Sequence, residues 1–283
     1  MDIGIVIFPT DTTLDPVSLG RAVEERGFES LWFPEHSHIP VSRETPWGGR
    51  QGAPPLPEKY WRTYDAFTAM GAIAMVTDHL RLGTAITLVA QRDPVWLAKQ
   101  VASIDRISHG RFEFGVGFGW NREEMATHGT DPTTRFERVG ESIELMRSIW
   151  TEDVASYEGE LVTLEPSWSW PKPVQDPHPP VLVGTGGGPK GLGVVFDHAD
   201  GWMPFGRNLP KAVRVFAEEA DRRGVDPRDW ELTAYGVEPT AEALEQTASL
   251  GACRALFDVD ARPPGEVLDE LDRLAEVRSA FLG

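Results

Sequence analysis

Short continuous apolar runs alternate along the chain with longer segments whose apolar residues recur every three or four positions. Ile3 to Phe8 is a strand-like run ended by Pro9, and Pro16 opens a helical pattern through Leu19, Ala22 and Val23 that stops at Gly27. The same unit returns as Ser30–Pro34 with a helix over Thr63–Val76, Leu80–Val89 with Pro94–Ile107, and Arg111–Gly117 with Thr134–Trp150. It continues as Pro180–Thr185 with Pro189–Asp197, Gly201–Phe205 with Pro210–Arg223, Glu231–Val237 with Thr240–Leu250, and Cys253–Val259 with Pro264–Ala280. Strands that are apolar throughout, rather than alternately, belong to parallel sheets covered on both faces. Eight such units predict an α/β fold: one closed (β/α)8 TIM barrel spanning residues 1–283 as a single domain.

Two connections are too long for simple turns, which gives the barrel insertions after strand 2 (Glu35–Arg62) and before strand 5 (Thr151–Pro179). The first leaves the C-terminal end of a strand, the face on which barrel active sites sit, and is rich in Trp, Gly and Pro. It reads as a lid or a substrate wall. The second holds an alternating stretch, Val154 to Leu164, that predicts a hairpin, followed by Trp168 and Trp170.

Composition narrows the function more than the fold. The 283 residues include 41% hydrophobic positions, enough for a large core without metal or disulfide staples. A net charge of -17 repels a phosphate backbone, so nucleic acid is not an expected partner. The longest apolar run, Ala69 to Val76, is far too short to span a bilayer, and Asp2 stands where a signal peptide would be basic; a cytoplasmic protein is expected. Cys253, the single cysteine, lies among Ala252, Ala255, Leu256 and Phe257 and reads as a buried strand thiol, the alternative being a catalytic one.

Three strand ends carry candidate chemistry. Strand 2 ends in Glu35-His36-Ser37-His38, a carboxylate and two imidazoles at the catalytic face, with His36 the stronger candidate. A His-x-His pair can also chelate, but strands 4 and 5 end in glycines rather than further ligands, so no metal is expected. Strand 4 runs into Gly115-Val116-Gly117-Phe118-Gly119-Trp120-Asn121, where small residues let backbone approach a flat ligand; the spacing is not a dinucleotide fingerprint. Strand 5 ends in Gly186-Gly187-Gly188 before a helix start, a nest for an anion or else a plain turn. After strand 3, Arg92 either faces the pocket or pairs with Asp93.

In this order the segments resemble the luciferase-like monooxygenase superfamily, and within it the oxidoreductases that use the deazaflavin coenzyme F420. The matching stretches are Ser30–Pro40, Arg81–Thr84, Arg92-Asp93-Pro94 to Lys99-Gln100, Gly110-Arg111-Phe112, Gly115–Asn121, Pro171-Lys172-Pro173 and Asp200–Pro204. Cation usage is also heavily biased to Arg, 22 of 27, as in high-GC actinobacterial chains. The resemblance implies a ring held in the barrel mouth, with a bulge and a non-prolyl cis peptide near Ala85-Ile86. Phosphate and ribityl contacts would fall on Gly117, Phe118, Gly119, Asn121 and on Gly186, Gly187 and Gly188, and the acid–histidine pair on Glu35 and His36.

The activity so implied is hydride transfer between the deazaflavin C5 and a small organic substrate, with His36 as the acid–base group. Trp47, Trp61 and Trp120, with Phe118, would line the substrate pocket. The sugar-phosphate dehydrogenases of the family carry a glutamate directly after the strand-4 glycines; this chain has Trp120, which argues against glucose-6-phosphate and leaves His36 without that partner. Arg43, Arg50, Lys59 and Arg62 would offset the acidic surface for an anionic cofactor. The alternatives are an FMN-dependent monooxygenase using O2, served by a flavin reductase, and a non-catalytic flavin or deazaflavin binder. The family also implies a homodimer.

Overall fold

The computed structural model describes residues 1–283. Its strands are β1 (Asp2–Ile7), β2 (Ser30–Phe33), β3 (Arg81–Thr84), β4 (Thr87–Leu88), β5 (Phe112–Gly117), β6 (Ala155–Glu158), β7 (Thr163–Ser167), β8 (Val181–Gly184), β9 (Gly201–Met203), β10 (Glu231–Tyr235) and β11 (Arg254–Val259). The helices are α1 (Pro16–Glu25), α2 (Lys59–Arg62), α3 (Ala66–Ala74), α4 (Pro94–Ile107), α5 (Arg122–Thr127), α6 (Arg135–Thr151), α7 (Pro189–His198), α8 (Leu209–Arg223), α9 (Ala241–Ser249) and α10 (Pro264–Leu282). Neighbouring strands pair in the order β3-β2-β1-β11-β10-β9-β8-β5, and β3 pairs with β5, so eight parallel strands close into the expected barrel. The predicted hairpin forms as the antiparallel pair β6–β7 outside it.

Three boundaries differ from the sequence expectation. The third strand is not continuous over Leu80–Val89: the cis peptide that the resemblance implies joins Ala85 to Ile86, and the ladder resumes as β4 against Val116 and Gly117. The second helix starts at Ala66 rather than Thr63, because Thr63 is extended and bridges Thr10, while the Asp65 side chain caps the helix by accepting from the Thr68 amide. A helix absent from the expectation, α5, follows β5, with Asn121 as its cap accepting from the Glu124 amide. Cys253 is not buried in a strand: it sits exposed in the bend before β11, at the end of the barrel away from the proposed site, and its thiol donates to the Leu232 carbonyl.

Most of the core lies between the barrel and its helices, while the lumen is filled in layers. At the bottom, Arg254 bonds both oxygens of Glu113 at 2.7 Å and both of Glu29 at 2.8 and 2.9 Å. Burial disfavours this guanidinium charge, but the two carboxylates outweigh that and raise its pKa. Above lies an apolar layer of Val6, Trp32, Leu182, Met203 and Leu256. Gly83 and Gly115 are required there: a Cβ on Gly83 would stand 2.3 Å from the Trp32 ring, and one on Gly115 would overlap the Thr84 carbonyl oxygen. The plugged lumen leaves only the upper, C-terminal mouth for a ligand. No helix is long and apolar enough to cross a membrane.

Candidate active site

His36 sits just beyond the end of β2 and is 9% exposed. Its Nδ1 lies 2.8 Å from Oε2 of Glu124, a wholly buried carboxylate on the first turn of α5. The other carboxylate oxygen, Oε1, accepts from the Ser37 amide at 3.2 Å. A carboxylate accepting at Nδ1 fixes the proton there, and Nε2 makes no hydrogen bond to protein. The absence of an acid beside His36, expected from Trp120, is therefore corrected: the carboxylate arrives four positions later, from α5. Asn121-Arg122-Glu123-Glu124 is a cap followed three residues on by an acid, the sequence signal for that helix start, but nothing in it announces a partner 88 residues upstream.

The imidazole is ringed by aromatics. Its centroid lies 5.2 Å from Tyr60 and 5.7 Å from Trp120, and Tyr60 in turn contacts Phe8 at 4.7 Å and Trp47 at 5.7 Å. Trp47 and Trp120 both pack against Tyr60. Trp61 does not: it is about half exposed on the outer side of α2, and its neighbour Tyr60 takes the inward position. With four residues α2 presents one side inward, and the chain enters it so that this side carries Tyr60.

Glu35 is buried but turned away from His36's free nitrogen. Its Oε1 accepts from Arg92 Nε at 2.7 Å, and Arg92 also reaches Asp65 and Gln100. Burial pushes the Glu35 carboxyl up while Arg92 pulls against it. Arg92 therefore pairs neither with the pocket nor with Asp93, whose side chain caps α4. His38 diverges from His36: Ser37 Oγ links it to His128 at the end of α5, at 3.0 and 2.7 Å. The two imidazoles of the His-x-His pair do not converge on one point.

Of the glycines expected to admit a ligand, Gly117 and Gly119 serve the protein itself. A Cβ on Gly117 would stand 2.5 Å from Ile86, and one on Gly119 2.8 Å from Met125. Ala85 is buried among the lumen residues and Ile86 packs against them, half-buried. Phe118 packs against Phe136, ring centroids 4.4 Å apart and tilted by 37°. Gly186 and Gly188 stand in open space, and their amides donate to no protein group, as an anion nest requires. Buried polar atoms without partners, Thr87 Oγ1, Gln91 Nε2 and Asn121 Nδ2, gather near the ends of β4 and β5. Free amides on β8's loop and unpaired polar atoms beside β5 fit a flat, polar, phosphate-bearing cofactor.

The long loop is latched over this region. Glu123 Oε1 accepts from the Glu44 and Thr45 amides at 2.9 and 3.1 Å. Burial opposes that charge, but hydrogen bonds from Thr45 and Glu44 hold the carboxyl at about 2. A cavity of about 580 Å³ lies between loop and α5, lined by Thr45, Pro46, Gly119, Trp120, Arg122 and Arg135 among others. The cations expected in the loop are largely committed: Arg62 to Asp11, Lys59 to Asp260, and Arg43 to the Thr45 carbonyl and the Trp120 face. Arg122 and Arg135 of the cavity wall supply positive charge that the sequence reading missed.

Comparison with known proteins agrees with this architecture. The chain is 38% identical over 282 residues to an uncharacterised protein of Mycobacterium tuberculosis strain H37Rv, covering 97% of this chain and 98% of that one. It is 30% identical over 247 residues to the F420-dependent glucose-6-phosphate dehydrogenase of Rhodococcus hoagii, covering 82% of this chain and 68% of the relative. The fold also matches, at 20% identity and a TM-score of 0.77, an F420-dependent secondary alcohol dehydrogenase solved with an F420-acetone adduct, over 99% of this chain and 98% of that one. Residues 10–276 match the luciferase-like monooxygenase family model, and with a closed barrel whose mouth carries the histidine, the chain belongs to that family.

Proposed function

We propose that this protein is an F420-dependent oxidoreductase that moves a hydride between the deazaflavin and a small alcohol or carbonyl compound. The observation that carries the reading is the buried His36–Glu124 pair, with Nε2 left free at the barrel mouth. When bound, the deazaflavin supplies a two-electron hydride acceptor or donor at C5. Ile86, Asn121, Gln91 and the amides of Gly186 and Gly188 would hold it.

The rest of the chemistry falls to the chain. In the oxidative direction His36 Nε2 accepts the hydroxyl proton of the substrate as the carbon loses its hydride, and in the reductive direction it returns that proton to the carbonyl oxygen. Glu124 holds the ring in the tautomer whose Nε2 is the base and stabilises the imidazolium formed. Tyr60, Trp47 and Trp120 exclude water around the imidazole.

The resemblance to an F420-dependent sugar-phosphate dehydrogenase at 30% identity supports the cofactor, while the fold is shared with a Baeyer–Villiger monooxygenase solved in complex with FMN. Fluorescence titration with F420 and, separately, FMN decides between them. Tight F420 binding with FMN binding at least about tenfold weaker is expected; the reverse order sinks the deazaflavin reading in favour of the O2-using one.

A further inference from the structure

β11 lies diametrically across the barrel from β5, with three strands between them in either direction, and Arg254 and Glu113 join them through the lumen. Along β11 the side chains Arg254, Leu256 and Asp258 alternate with outward residues, so all three face the lumen: one in the ionic layer, one in the apolar layer, one at the mouth. On β10 the same parity puts Thr233 beside Arg254 and Tyr235 against the apolar layer, with Tyr235 paired in register to Leu256. The proposed cofactor residues lie on the β4–β5–β8 side. The opposite wall is thus built from Phe8, Tyr235 and Asp258.

Asp258 is exposed to solvent, and partial desolvation pushes its carboxyl up against the pull of Lys59. It takes no hydrogen bond or ion pair, because both neighbouring cations, Lys59 and Arg262, are held by Asp260 at 3.0 and 3.6 Å. The Tyr235 hydroxyl has no protein partner either, and its ring is fixed edge-on against Phe205 at 5.5 Å. Two polar ends on adjacent strands, both at the mouth and both without a protein partner, contrast with the paired Arg254–Glu113–Glu29 floor of the same barrel.

We propose that Tyr235 and Asp258 select the substrate: they bind a neutral or cationic head group that donates hydrogen bonds, a second hydroxyl or an ammonium, and reject anions such as carboxylates and phosphate esters. The proposal rests on the oxidoreductase reading, since it places the reacting carbon between that head group and His36. An unpaired carboxylate in a mouth of a chain carrying -17 charges repels an anion and draws a donor.

Three probes share one carbon frame and differ in the head group: 1,2-propanediol, 1-amino-2-propanol and lactate. Ligand-observed NMR titration of each into the full protein, with and without F420, gives their relative affinities. The diol and the amino alcohol are expected to bind at least about tenfold more tightly than lactate. Asp258→Asn, close to isosteric, should remove most of the amino alcohol's advantage, Asp258→Arg should turn the order in favour of lactate, and Tyr235→Phe should weaken the diol by roughly threefold. Equal binding of the three, absence of binding, or an order unmoved by Asp258→Asn overturns the proposal. Failure of the F420 titration instead sinks the oxidoreductase reading, and the two results are independent because the probe order is also read without cofactor.

Discussion

Replacing Glu124 with Gln tests the acid–histidine pair directly. Gln keeps the size of the side chain, but its amide offers one acceptor oxygen where the carboxylate offered two, to His36 Nδ1 and to the Ser37 amide. One of those two donors must then face an NH2 group. A hydrogen bond to a charged group contributes about 1.5–3 kcal/mol, and loss of about 2 kcal/mol from the transition state is roughly a 30-fold fall in kcat. Because the pair acts on the substrate proton and Glu124 is sealed from the mouth by His36, F420 affinity should change by no more than about threefold. Single-turnover reduction of F420 by 2-propanol, with a parallel fluorescence Kd, reads both quantities. A kcat within about twofold of wild type would refute the role given to His36 and Glu124, and a parallel collapse in F420 affinity would show that Glu124 only shapes the cofactor site.

Three further outcomes follow from the geometry. Arg254→Ala strands Glu113 and Glu29 in the barrel floor and should cost about 3–5 kcal/mol, lowering Tm by roughly 10 °C; a shift under about 2 °C by circular dichroism would contradict the plug described here. Gly115→Ala drives a Cβ into the Thr84 carbonyl and should leave the protein insoluble, whereas Gly186→Ala, with open space around it, should fold normally and affect only cofactor affinity. The Glu123 latch has a carboxyl at about 2 when folded against about 4.5 when free, so its contribution is complete above pH ~4.5 and is lost as pH falls towards 2. Glu123→Gln at neutral pH should therefore mimic acid: tryptic cleavage after Arg43 should rise several-fold, and unchanged cleavage would mean that the loop is held by other contacts.

The sequence by itself determined the barrel. Apolar strands such as Ile3–Phe8, each followed by an amphipathic helix, need two covered faces, and eight such units favour a closed barrel over an open sheet. It also placed His36 at the catalytic face, because that depends on position along one strand, whereas the cis peptide at Ala85-Ile86 was implied only by the family resemblance. What it did not determine was which side chains meet. Glu124 joins His36 across 88 residues, Tyr60 rather than Trp61 turns inward on a four-residue helix, Arg92 goes to Glu35, and Asp258 comes to the mouth across from Gly117. Local pattern fixes the face on which a side chain lies, since strand and helix periods are local properties. The partner on that face depends on how strands close around the lumen and where the long loop lands, and only the tertiary structure decides that.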